Sequence, residues 1–217
     1  VIVLFAQKQP LEDHAIIEGE GHLLQNKRFL GMLGIIFLVM LAVILPQPLA
    51  ANFLQNQRGL SLGQIGQLGS LTALGSVSIM LVFGHLQAGS ALLIGQISVM
   101  LFAFLLWQGR GFIWYGIGHI FLGGFRLCRA MTVALVRPVV RDKEVGLAFG
   151  MVESFNSLAY VLAPVLAGLL YDWRPIAIFP ASLAVLILTL IISAYFVYRN
   201  GYQKGEIIAD HPVKEEK

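Results

Sequence analysis

The sequence predicts an all-α, polytopic membrane protein with six transmembrane helices. Two observations predict it. Hydrophobic residues make up 57% of the 217 and charged residues only 12%, with a mean hydropathy of +0.77. A soluble domain carries about twice that share of charge. The charges are also bunched into short segments, and six long apolar runs between them hold almost none. Each run can cross about 30 Å of hydrocarbon at 1.5 Å per residue.

Val1 to Ala6 is an apolar stub, too short to span a bilayer, which takes about 20 residues. It lacks the basic flank and small-residue cleavage site of a signal peptide. Residues 1–6 are therefore expected to be the end of a preceding transmembrane helix, and the chain a fragment or separated half. Residues 7–28 are polar, with Glu12, Asp13, Glu18 and Glu20, and read as a cytoplasmic loop. Residues 29–199 form the transmembrane domain. Its spans are placed at Phe29–Leu54, Leu62–Leu86, Ala91–Gln108, Phe112–Val136, Val145–Tyr171 and Ile176–Tyr198. Residues 200–217 are a polar tail on the loop's side. Ser61 is a candidate N-cap for the second span. Pro46 and Pro48 are expected to kink the first span and Pro164 the fifth, with neighbouring helices satisfying the freed carbonyls.

Basic residues orient the bundle. Lys8, Lys27, Arg28, Arg137, Arg141, Lys143, Arg199, Lys204, Lys214 and Lys217 fall on one side, and only Arg58, Arg110 and Arg174 on the other. Ten against three places the loop and the tail in the cytoplasm. An even number of spans requires both on one side, so the two arguments agree. Trp107, Trp114 and Trp173 all fall at the opposite ends of spans, as an interfacial belt would.

Small residues suggest where helices touch. Gly66, Gly69, Ser70, Ala73 and Ser76 line one side of the second span, and Gly146 and Gly150 form a GxxxG in the fifth. A single cysteine, Cys128, excludes an internal disulfide framework and a cysteine-based metal site. No cofactor is expected, and nothing in the charge pattern suggests nucleic-acid binding.

The order of these features resembles the second half of a major facilitator superfamily transporter. Gly59-Leu60-Ser61 followed by Ile65-Gly66 looks like the entry to that family's eighth helix. Gly123-Gly124, then the basic loop from Arg137 to Glu144, looks like its tenth helix and the loop after it. Ala163-Pro164-Val165-Leu166-Ala167-Gly168, ending at Tyr171-Asp172, looks like its eleventh. The resemblance implies an MFS-like half-bundle. Gln7–Lys27 is then the central loop and Val1–Ala6 the end of the sixth helix. One departure is plain. At Gly84-His85-Leu86-Gln87-Ala88-Gly89-Ser90 the family's signature loop keeps a glycine and a leucine but has lost its acid and its arginines.

Only Arg126, Arg129 and Glu153 place ionised side chains well inside spans. Such a charge costs a few kcal/mol or more, so function is its default reading. Tyr115, His119, Leu122, Arg126 and Arg129 recur at steps of four and three, which predicts one shared face of the fourth span. The resemblance implies that this face lines a central cavity, where the arginines receive an anionic or strongly polar substrate. The competing reading neutralises the arginines with Glu153 or with helix-end carbonyls. Glu153 has two readings as well, a fixed partner for Arg129 or a proton-carrying carboxylate, with Asn156 and Tyr160 beside it. His119 reads as a cavity-lining hydrogen bonder. Gln47 and Asn52, near the proline kink, are candidate substrate contacts or helix-to-helix hydrogen bonders.

The expected function is secondary active transport of a small polar or anionic solute across the plasma (inner) membrane, with or without a coupling proton or ion. The expected partners are the bilayer, the missing amino-terminal half and the solute. Two alternatives stand beside it, a non-transporting scaffold or receptor and a six-helix subunit acting as a homodimer. Intramembrane proteolysis is disfavoured, because no aspartate lies within a span and no Gly-x-Ser-Gly nucleophile occurs.

Overall fold

The structure is a computed structural model that describes residue 23 and residues 25–209, with side chains for all but 142 and 199–209. The expected preceding helix, most of the loop and the end of the tail lie outside the described residues. Eight α-helices follow one another: α1 Lys27–Ile44, α2 Ala50–Arg58, α3 Leu62–Phe83, α4 Ala88–Gln108, α5 Phe112–Leu122, α6 Gly124–Val136, α7 Val145–Trp173 and α8 Ile178–Ala209. Among these described residues six spans are long and apolar enough to cross a membrane: α5 and α6 share one, α1, α3, α4, α7 and α8 supply the others, and α2 is not one of them. The result is an all-α, integral, multi-pass membrane protein.

The elements begin and end for local reasons. Asn26 caps α1, its side-chain oxygen accepting from the N–H groups of Arg28 (3.1 Å) and Phe29 (3.2 Å). Ser61 caps α3 in a full capping box with Gln64. Gly59 ends α2 with φ of 70°, a left-handed position that a side chain would strain. Pro46 and Pro48 do more than kink the first span. They end α1 at Ile44, and tight turns carry the chain to a separate helix at Ala50. Each proline lacks the N–H that would extend the ladder, and two so close leave too few donors to bridge the gap. Pro164, alone, leaves α7 continuous.

Helix α4 sits at the centre, packed against α5, α6 and α8, while α1 packs on α7 and α8, and α3 on α5 and α6. The face that α7 turns inward repeats at steps of three and four: Ala148, Val152, Asn156, Ala159, Ala163 and Ala167. Its short side chains allow α1 to lie close, which is how van der Waals packing replaces the hydrophobic effect in lipid. One core cluster gathers α1, α4, α6 and α7 around Phe29, Met40, Val99 and Leu127. A second holds the other end together around Phe53, Phe102, Leu106, Tyr115 and Phe179.

Of the small-residue stripes only Ser76 takes part in such a contact, and the stripe glycines do not. A Cβ added at Gly66, Gly69, Gly146 or Gly150 would meet nothing within 4 Å. The close approaches occur at Gly75, Gly95, Gly123 and Gly124 instead. There a Cβ would run into the backbone of Ile120, the Cys128 sulfur, the Gly75–Ser76 backbone and Ser98 respectively. A glycine stripe shows that a helix can be approached closely, but not that a neighbour within this bundle does so.

Candidate functional site

The fourth span is interrupted where these contacts converge. After Leu122 the chain tightens, with the Gly123 N–H donating to the Ile120 carbonyl (3.1 Å) and the Arg126 N–H to the Gly123 carbonyl (3.2 Å). Three residues per turn instead of 3.6 overwinds the helix. Ser98 on α4 donates to the Phe121 carbonyl at 2.6 Å, at the edge of the interruption.

The overwinding splits the expected common face. Tyr115, His119 and Leu122 on α5 are buried, whereas Arg126 and Arg129 on α6 are exposed. The Tyr115 hydroxyl donates to the Gly109 carbonyl (3.2 Å). His119 Nδ1 lies 2.7 Å from the Tyr115 carbonyl, which can only accept, so Nδ1 carries the proton. The His119 ring stands edge-on to Phe102 on α4 at 5.3 Å. Neither residue shares the surface that holds the arginines.

Between α6 and α7 a polar network forms. Arg129 Nη2 donates to Glu153 Oε1. Asn156 Nδ2 lies within 3.3 Å of Glu153 Oε2 and 3.4 Å of Thr132 Oγ1. The Thr132 hydroxyl returns to the Arg129 carbonyl at 2.7 Å. Arg129 also lies 5.8 Å from the ring centre of Tyr160. The Arg129 and Glu153 side chains are 49% and 43% exposed, so the pair lies open rather than inside the helix packing. Thr132 is the member that sequence reasoning missed. Its signal was position, three residues after Arg129.

Arg126 lies one turn before Arg129 and is exposed on the same helix. Its guanidinium rests 5.8 Å from the ring centre of the adjacent Phe125. Among the described residues no carboxylate lies within salt-bridge distance of it, whereas Arg129 pairs with Glu153.

Gln47 and Asn52 lie apart from this group. Gln47 Nε2 donates to the Val43 carbonyl (2.7 Å) and stabilises the end of α1 at the break. Asn52 Oδ1 accepts from the Tyr171 hydroxyl (2.9 Å), joining α2 to α7, and from Asn56 Nδ2 (2.6 Å). Arg58 donates to the Trp107 carbonyl (3.3 Å), a cation at the carboxy-terminal end of α4.

A family model described as the Major Facilitator Superfamily matches residues 32–212, from the first span through the last. The chain belongs to the Major Facilitator Superfamily. No curated protein matches it in a sequence comparison. Membership makes the chain a transporter-family protein.

Proposed function

We propose that this chain is the carboxy-terminal six-helix half of a secondary active transporter, and that Arg126 takes a small polar or anionic solute. One observation carries the reading. Arg126 is a permanent cation inside a span, and among the described residues no carboxylate answers it. It stands ten residues before Val136, the end of α6, hence about 15 Å into the bilayer. That depth is near the midplane, where transporters built from repeated halves bind their solutes. A charge there must meet an anion or water. Arg129 is already engaged by Glu153, so two cations face one carboxylate and the group retains one positive charge. Asn156 and Thr132 hold Glu153 and Arg129 in register beside the free guanidinium. In this reading the end of the bundle bearing Arg137, Arg141 and Lys143 faces the cytoplasm of a plasma (inner) membrane.

The deciding measurement is uptake of a panel of small organic anions and polyols into proteoliposomes holding the encoded protein. Arg126→Lys should fold normally and lose roughly tenfold to a hundredfold in apparent affinity. One ammonium cannot make the guanidinium's forked, charge-assisted hydrogen bonds, worth about 1.5–3 kcal/mol. Unchanged uptake by Arg126→Ala would overturn the assignment.

A further inference from the structure

The seam between α4 and α8 holds polar groups that no described residue satisfies. Gln96 on α4 is 0% exposed and Ser193 on α8 is 1% exposed. Neither Gln96 Nε2, Gln96 Oε1 nor Ser193 Oγ has a hydrogen-bond partner among the described residues. The other buried hydroxyls on this side of α8 are settled within their own helix. Ser182 donates to the Ile178 carbonyl (2.6 Å) and Thr189 to the Leu186 carbonyl (3.1 Å). Ser193 could use the carbonyl four residues back in the same way and does not. An unpaired amide and an unpaired hydroxyl in so apolar a place each cost their full desolvation.

The register of the two helices brings these groups together. At Gly89 an added Cβ would lie 2.8 Å from both Cγ atoms of Val197, so the helices touch there. Gln96 is seven residues on from Gly89, two turns less about 20°, and therefore faces the same way. Ser193 is four residues before Val197, within about 40° of the contact direction. The helices run antiparallel, since α4 and α8 are the third and sixth spans. Measured from the Gly89–Val197 contact, Gln96 lies about 10.5 Å along the axis and Ser193 about 6 Å, a difference of about 4.5 Å. A glutamine side chain can reach across that offset, yet neither end of the Gln96 amide nor the Ser193 hydroxyl is within hydrogen-bond distance of any partner, which leaves the space between them to a bridging molecule.

We propose that ordered water occupies the α4–α8 seam between Gln96 and Ser193 and pins the last span to the central helix. The water accepts from the Gln96 N–H and donates to the Ser193 hydroxyl oxygen, and the amide oxygen accepts a further water proton. Three polar partners are the usual complement of a buried water. The site is built for water because its groups are neutral and offer both donors and acceptors.

The test combines a density map of the encoded protein, at a resolution that shows water, with thermal unfolding of Gln96→Leu, Ser193→Ala and the double variant. Density should appear between the two side chains. Each single variant should lower the unfolding midpoint by about 2–4 °C, and the double variant should fall no further than the worse single one. A Gln96→Leu variant that melts higher than the parent would show a dry, unpaired amide and overturn the proposal. Non-additivity without density, and with the amide on the hydroxyl, would show a direct bond and overturn it too. If Gln96→Leu does not fold, Ser193→Ala and the map still decide.

Discussion

His119 and Cys128 lie nine residues apart and both meet α4, His119 against the Phe102 ring and Cys128 with its sulfur 3.7 Å from the Leu92 carbonyl. Nine residues are two and a half turns of a regular helix, which would set them on opposite sides. The tight turn between Leu122 and Arg126 adds about 20° per residue and so supplies part of that rotation. It turns α6 so that Leu127, Cys128 and Met131 are buried, while Arg126 and Arg129 are left on the open face. The interruption thus contributes to leaving the cations on the open face.

If that is so, the glycines at the interruption are not interchangeable with the others. Gly123→Ala drives a methyl group into the Gly75–Ser76 backbone, which cannot yield as a flexible side chain can. It should abolish or sharply reduce folded protein, read as the monodisperse peak after detergent extraction. Gly66→Ala and Gly146→Ala meet nothing within 4 Å in this bundle and should extract normally. A loss at either of these would report a contact made with something outside the described residues.

Ser98→Ala should also destabilise, by about 1–3 kcal/mol, because it leaves the Phe121 carbonyl without its side-chain donor in a dry interior. The unfolding midpoint should fall by several degrees, with no change in the number of spans. No shift at all would mean that a backbone group satisfies that carbonyl and that Ser98 is incidental.

Some of this was legible beforehand and some was not, for physical reasons. The six spans follow from the cost of burying charge in hydrocarbon, which any sequence must obey locally, and the cap at Ser61 is equally local. The break at Gly123 is different. A glycine pair in an apolar run permits a close approach, but the approach is made by Gly75 of α3 and Ser98 of α4, some 48 and 25 residues earlier. No periodicity within the fourth span could show the overwinding, so Tyr115 and His119 were grouped with Arg126 and Arg129. The small-residue stripe on α3 misled for a related reason, since its glycines face away from this bundle. Gln96 carries a signal of its own, an amide in the middle of a largely apolar span.

The orientation can be checked at two exposed positions, Arg110 between α4 and α5 and Lys143 between α6 and α7. Single cysteines placed there, in a Cys128→Ser background, are exposed to a membrane-impermeant maleimide in sealed right-side-out vesicles. Arg110→Cys should label at once, and Lys143→Cys only after the vesicles are opened. The opposite pattern would reverse the sidedness inferred from Lys and Arg.

The remaining prediction separates the two arginines. Arg129 and Glu153 form an ion pair with roughly half of each side chain exposed, so its worth lies below that of a fully desolvated pair. Arg129→Ala leaves Glu153 with only the Asn156 amide and its charge unanswered, and Glu153→Ala leaves Arg129 without its carboxylate. Each should cost about 1 kcal/mol, or roughly 2–4 °C in the unfolding midpoint. The double variant should recover part of the loss, because removing both charges costs less than stranding one. Arg126→Ala, which strands no carboxylate, should keep the parental midpoint and lose transport instead. The four proteins are compared by unfolding and by uptake. Should Glu153→Ala restore stability lost in an Arg126 variant and not in Arg129→Ala, the ion pair would belong to Arg126, and Arg129 would be the cation left for solute.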